Sequence, residues 1–218
     1  MDHEFWHTRW RENRIGFHQS ATSELLERHW SEVSAAADQA VFVPMCGKSL
    51  DMLWLSRQGH PVFGVELSEI AVQAFFEENG LPAAKRSNGS LPLWQHENIT
   101  IACGDFFDLR AGQIPEPDVV YDRAALAAMP PVLRAQYAAV IGRLMPSGSR
   151  MLLLTLEFPQ EQVAGPPFVV TAREVAHLYQ NAFEIRELGS RQAAADNPRF
   201  SKNGVKMLME KAYCLTKK

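Results

Sequence analysis

Short unbroken apolar runs alternate along this chain with segments of helical periodicity. Ala40-Val41-Phe42-Val43 is continuously apolar and ends at Pro44 and Gly47, as a strand buried on both faces would. Residues 50–58 carry a helical pattern that Gly59 stops. Residues 61–66 read as a second strand, and 69–79 as a helix held between Ser68 and Gly80. Residues 81–98, with Pro82, Asn88-Gly89 and Pro92, read as a loop carrying a small hairpin. Residues 98–103, 118–121 and 150–156 predict three more strands, with a helix over about 132–144 that Pro146 and Gly148 terminate. A helix at 171–181 follows, and the apolar stretches 183–188 and 205–215 predict an antiparallel hairpin closing a sheet edge. The first 35 residues read as helical: Ser20-Ala21-Thr22-Ser23 offers caps before 24–30, and Phe5, Trp6 and Trp10 form an aromatic face that must cover something. Strands alternating with helices predict a doubly wound, mostly parallel α/β sheet. Ligands in such sheets sit beyond the carboxyl ends of the strands, here at residues 45–48, Glu66, 103–107 and Asp122-Arg123. With no repeat or linker, residues 1–218 are expected to form a single domain with 1–35 as an N-terminal helical extension.

Composition narrows the classes. Of 218 residues, 46% are hydrophobic, and Lys+Arg 22 against Asp+Glu 25 leave a net charge of −3, which excludes a disordered chain and gives no basic footprint for nucleic acid. No apolar run approaches the ~18–20 residues of a membrane span, and the first residues lack a signal peptide's basic and apolar regions. Cys46, Cys103 and Cys214 are odd in number and far apart. A soluble cytoplasmic protein with reduced thiols is therefore expected, in which Asn98-Ile99-Thr100 has no role as a glycosylation acceptor.

Several motifs fail on their chemistry. His3-Glu4-Phe5-Trp6-His7 has zinc-protease spacing, but it begins at residue 3, where chain ends fray, and Trp10 and Asn13 stand where a longer zinc motif needs Gly and His. No metal is expected. Gly47-Lys48-Ser49 resembles the tail of a phosphate loop, yet Phe42 occupies the position of its first glycine. The same segment has one glycine where a dinucleotide fingerprint needs three, while Glu66 ends the second strand, placed to accept hydrogen bonds from a ribose diol. A ribose carboxylate without a pyrophosphate cradle suits a nucleoside without phosphates, such as S-adenosylmethionine. Cys103-Gly104-Asp105-Phe106-Phe107-Asp108 fits the corner that holds a base, with an aspartate on the adenine amine and an apolar neighbour on its face. Asp122-Arg123 puts a charge pair at the strand end nearest a reacting methyl group. A nicotinamide oxidoreductase and a non-catalytic binding protein on the same fold are the rival classes.

Trp6-His7-Thr8-Arg9-Trp10, Phe17-His18-Gln19, Pro44-Met45-Cys46-Gly47-Lys48-Ser49-Leu50-Asp51-Met52, Gly64-Val65-Glu66-Leu67-Ser68 and Asp122-Arg123-Ala124-Ala125-Leu126 together resemble the bacterial thiopurine S-methyltransferases. The resemblance implies a class I, Rossmann-like methyltransferase with a seven-stranded sheet and an N-terminal helical cover over S-adenosylmethionine. It implies cofactor contacts at Trp10, Met45, Gly47, Glu66 and Arg123, and at Asp105 or Phe106 for adenine. Phe17 and Arg123 would line the substrate side, and Arg123, supported by Asp122, would act at the reacting end. The acceptor would be the sulfur of an aromatic or heterocyclic thiol, with selenium or tellurium species as further candidates in a detoxification role. The chain is expected to work as a monomer on a small molecule, without nucleic acid or membrane. Met45 departs from the family's usual Leu, a mild apolar exchange, and the segment 103–108 is one residue longer than the mammalian pattern.

Overall fold

A computed structural model describes residues 2–34, 36–89, 91–193 and 198–218; Met1 and Ala35, the ends of the expected N-terminal extension, lie outside the described residues. The chain runs α1 (His3–Arg11), α2 (Glu24–His29), β1 (Val41–Val43), α3 (Asp51–Arg57), β2 (Val62–Glu66), α4 (Glu69–Glu78), β3 (Ala84–Asn88), β4 (Leu91–His96) and β5 (Ile99–Cys103). It continues with β6 (Val119–Arg123), α5 (Ala125–Ala128), α6 (Pro131–Leu144), β7 (Arg150–Glu157), α7 (Ala172–Tyr179), β8 (Phe183–Gln192), α8 (Pro198–Lys202) and β9 (Met209–Lys217). Among the described residues these strands form one sheet in the order β3-β4-β5-β2-β1-β6-β7-β9-β8. β5, β2, β1, β6 and β7 pair in parallel, and β9 runs antiparallel between β7 and β8. The expected seven strands are the run from β5 to β8, and the small hairpin read at 81–98 adds β3 and β4 at one edge. No helix of the described residues is long and apolar enough to cross a membrane.

The central strands are apolar throughout because helices cover both faces. On one face Phe42, Val120 and Leu153 pack with Tyr137, Ile141 and Val175 of α6 and α7. On the other, Val41, Val43, Val119, Tyr121 and Leu152 pack with Leu25, Met52 and Phe75 of α2, α3 and α4. Successive strand residues point to opposite faces, so this division also sorts the polar ends of β6. Tyr121 and Arg123 belong to the α3 face, and Asp122 to the α6 face.

The N-terminal region carries the two helices expected around Phe5–Trp10 and over 24–30. Residues 12–22 connect α1 to α2 without regular helix. Ser23, among the expected caps, does begin α2, its hydroxyl accepting from Leu26 N at 3.4 Å. α5 was not expected; Ala124 turns the chain into it at φ 77°, left-handed backbone that a side chain rarely adopts.

Asp122 is fully buried, accepting from Tyr137 Oη at 2.7 Å and Ala125 N at 3.1 Å. Burial raises its carboxyl to about 6, against the lowering effect of the Tyr137 hydroxyl and the Leu126 and Ala125 amides. The folded protein therefore holds this proton in a range where the unfolded chain, with an ordinary value near ~3.9, has released it. Stability contributed by the protonated acid is complete below about pH 4 and is lost as pH rises through about 6, on the order of 3 kcal/mol. Urea unfolding of Asp122→Asn across this window is expected to lack that component of the fall; identical slopes in variant and parent would refute it.

Candidate functional site

A cleft opens where β1, β2 and β6 end, lined also by α1, the segment after it, and Pro166 and Pro167. Counting the open space at its mouth, the empty space within it is about 950 Å³. The turn after β1 forms its floor. Met45 and Gly47 both have left-handed backbone, φ 47° and 53°, which folds the turn back so that Cys46 N donates to Val65 O at 2.9 Å. A side chain on Gly64 would meet Cys46 Sγ at 2.8 Å, so the absence of one lets the turn lie on β2. A Cβ on Gly47 would touch the Trp10 ring at 3.4 Å.

Glu66, at the end of β2, is buried and lines this floor. Its carboxylate accepts from Gly47 N at 2.9 Å and from Ser68 N at 2.8 Å. Burial raises its pKa, and the amides of Ser68, Gly47 and Leu67 oppose that rise. Two backbone donors leave lone pairs on a carboxylate that has about four acceptor positions. The turn after β1 carries a single glycine, Gly47.

Arg123 reaches the cleft from β6. Its Nε lies 2.6 Å from Asp51 Oδ2, and its Nη2 donates to Ser49 Oγ at 3.0 Å. Asp51 is 0% exposed, and it also accepts from Tyr121 Oη at 2.8 Å and from Ser23 N at 2.9 Å. Burial alone would weaken the guanidinium's hold on its proton, but Asp51 and Tyr121 outweigh it and raise its pKa. The expected support of Arg123 by Asp122 is thus corrected: neighbouring residues of a strand point to opposite faces, and the partner is Asp51 at the start of α3. An acidic residue in the first turn of a helix usually marks a solvated end, which hid this role in the sequence.

Trp10, Met45, Gly47, Glu66, Arg123 and Phe17 all line the cleft. The rings of Trp6 and Trp10 meet Phe17 edge-on, with centroids 5.7 and 5.5 Å away. Asp105 and Phe106 do not line it. Phe106 is 2% exposed, 4.9 Å from the Tyr137 ring and stacked against Phe42, so its ring belongs to the core. Asp105 accepts from Phe107 N at 2.8 Å and meets His3 Nε2 at 2.6 Å, tying the start of α1 to the exit of β5. Ser49, His18, Pro166 and Pro167 line the cleft without having been singled out as site residues, as does Lys48, which fell within the expected ligand segment 45–48 but was given no role. Lys48 binds both carboxylate oxygens of Glu78 at 2.7 Å. His18 is half-buried, and its pKa is lowered first by burial and then by Lys48 and Arg123, partly offset by Glu78.

A family model described as thiopurine S-methyltransferase (TPMT) matches residues 1–218. The thiopurine S-methyltransferase of Pseudomonas entomophila is 44% identical over 217 residues, covering 100% of both chains. That of Methylococcus capsulatus is 45% identical over 216 residues, 99% of this chain and 97% of the relative. Among solved structures, the 1,6-didemethyltoxoflavin-N1-methyltransferase of Burkholderia thailandensis, bound to its substrate and S-adenosylhomocysteine, superposes with TM-score 0.64 at 16% identity, over 99% of this chain and 87% of that one. A TehB-like S-adenosylmethionine-dependent methyltransferase of Corynebacterium glutamicum gives 0.58 at 16% identity, over 99% and 98%. These two likenesses show the class I methyltransferase fold.

Replacing Asp51 with Asn leaves a largely buried guanidinium without its counter-charge. Breaking a buried pair from one side costs about 3 kcal/mol or more, so Asp51→Asn is expected to lower the urea midpoint, while Asp122→Asn leaves the Arg123 position intact. A wild-type midpoint for Asp51→Asn would show that the pair does not hold this floor.

Proposed function

The chain belongs to the thiopurine S-methyltransferase family and is an S-adenosylmethionine-dependent methyltransferase; we propose that it methylates the sulfur of aromatic or heterocyclic thiols. The observation that carries this reading is that the Arg123 guanidinium, 22% exposed, lines the same cleft as Trp6, Trp10 and Phe17. A cation and aromatic rings lining one cleft suit a planar ligand that bears its negative charge on a soft atom.

S-Adenosylmethionine supplies an activated methyl group on its sulfonium sulfur. The remaining task of the protein is to hold the two reactants in line, a contribution of up to roughly 7–11 kcal/mol. In this reading Glu66 accepts the two ribose hydroxyls with the lone pairs its backbone partners leave open. Met45 and Gly47 present the turn against which the cofactor lies, and Trp10 covers it. Phe17 offers an aromatic face to the acceptor ring. Arg123 favours the thiolate over the thiol, and because guanidinium stays protonated it acts by charge and not as a base. α1 and the segment after it, as far as His18, close over the cofactor as a cover that excludes water.

Calorimetric titration with S-adenosylhomocysteine tests the cofactor half. Loss of hydrogen bonds to a charged group is worth about 1.5–3 kcal/mol, so Glu66→Gln is expected to weaken binding roughly 10- to 100-fold. Trp10→Ala should also weaken it while the sheet stays folded; undiminished affinity in both would remove them from the site.

The acceptor half is tested by radiolabelled methyl transfer to aromatic thiols, selenium and tellurium oxyanions, and hydroxyl and amine controls. Transfer to thiols is expected to dominate, and Arg123→Ala should lose far more turnover than cofactor affinity. Preferred methylation of an amine or hydroxyl would overturn the thiol reading.

A further inference from the structure

Four of the titratable side chains lining the cleft already have commitments. Glu66 is held by the Gly47 and Ser68 amides, Lys48 by Glu78, and Arg123 by Asp51 and Ser49. Burial, then Glu66, pushes the enclosed Cys46 thiol well above its ordinary value, so it keeps its proton. His18 differs from all of these. It lines the cleft directly after Phe17, and among the described residues its ring nitrogens have no hydrogen-bond partner.

The charged groups facing His18 come from three elements: Lys48 in the turn after β1, Glu78 at the end of α4, and Arg123 at the end of β6. Two cations and partial burial disfavour the imidazolium more than the one carboxylate favours it. The ring is consequently neutral near neutral pH and lines the cleft with one basic nitrogen. Arg123 can balance a negative sulfur but cannot take its proton, so a thiol that arrives protonated needs another group beside it.

We propose that His18 is the proton acceptor for the thiol, an inference that rests on the thiol reading of the acceptor. The S–H bond breaks and its proton passes to a ring nitrogen of His18. The electron pair left on sulfur, its charge balanced by Arg123, forms the bond to the methyl carbon as the donor's C–S bond breaks. The products are the thioether and S-adenosylhomocysteine, and the imidazolium returns its proton to water at the cleft mouth. The donor, the thiol and water complete the balance.

Two aromatic-ring thiols of similar size test this: a nitro-substituted thiophenol, ionised throughout the neutral range, and a benzylic thiol, protonated there. General-base assistance is worth about 10²–10⁴-fold. His18→Gln and His18→Asn are therefore expected to lose roughly 100-fold or more in kcat on the benzylic thiol, and at least tenfold less than that on the thiophenol. The ratio of the two rates in one sample does not depend on the folded fraction, so a destabilised variant still reports. Independently of turnover, thiolate absorbance of a weakly acidic aromatic thiol bound with S-adenosylhomocysteine should appear at higher pH in the variants. Equal losses on both thiols, or an unshifted absorbance profile, would overturn the role of His18. Wild-type protein that methylates amines or hydroxyls but neither thiol would overturn the acceptor reading itself, and this inference with it.

Discussion

A carboxylate taken wholly out of water must find its compensation inside the protein, where desolvation still costs several kcal/mol after relaxation. Asp51 is such a group, and its compensation comes from different parts of the chain: the Ser23 amide at the start of α2, and the Tyr121 hydroxyl and Arg123 guanidinium of β6. Because Ser49 also binds Arg123, the turn after β1 joins the same assembly. The seating of α2, the start of α3 and the aim of Arg123 are thus one solution to one desolvation problem. Asp122 meets the same problem on the opposite face and solves it with Tyr137 and the amides that open α5. The strand's alternation keeps the two acids apart, so the cleft floor is braced from both sides of the sheet.

The same alternation explains what was legible in the sequence. Strands covered on both faces had to be continuously apolar, so β1, β6 and β7 stood out, as did the helices between them. β8 ends at Gln192, beyond the expected 188, because the outer strand of the sheet alternates exposed polar residues that carry no apolar signal. α5 is four residues long and begins from a left-handed alanine, below the length at which periodicity can be read.

The site divided in the same way. Glu66, Trp10 and Phe17 were readable because their residue types at those positions imply a chemistry, and all three line the cleft. Phe106 was not, since an apolar residue just after a strand can turn to a ligand or to the core, and only the distant ring of Tyr137 decides it. Asp51 looked like an ordinary helix-start acid; its burial depends on Ser23 and Tyr121, which no local pattern connects to it. The Pro166-Pro167 wall lies in a stretch to which neither periodicity nor a motif gave a role.

Among the described residues four non-glycines have left-handed backbone, and two of them, Met45 and Ala124, stand at the cleft. Such conformations cost on the order of 1 kcal/mol or more each and persist where surrounding structure fixes them. Here the Glu66–Gly47 bond holds one turn and the Asp122–Ala125 bond the other. The opposite wall is built differently. α1 has one buried residue, Trp10, and is further tied by the edge-on contacts to Phe17, the His3–Asp105 bond and packing against α4. Aromatic pairs are worth about 0.5–1.5 kcal/mol each, and exposed ion pairs about 1 kcal/mol or less. Strain and bracing are thus concentrated in the turns that carry Glu66 and Arg123, while α1 contributes one buried aromatic residue to the cleft lining.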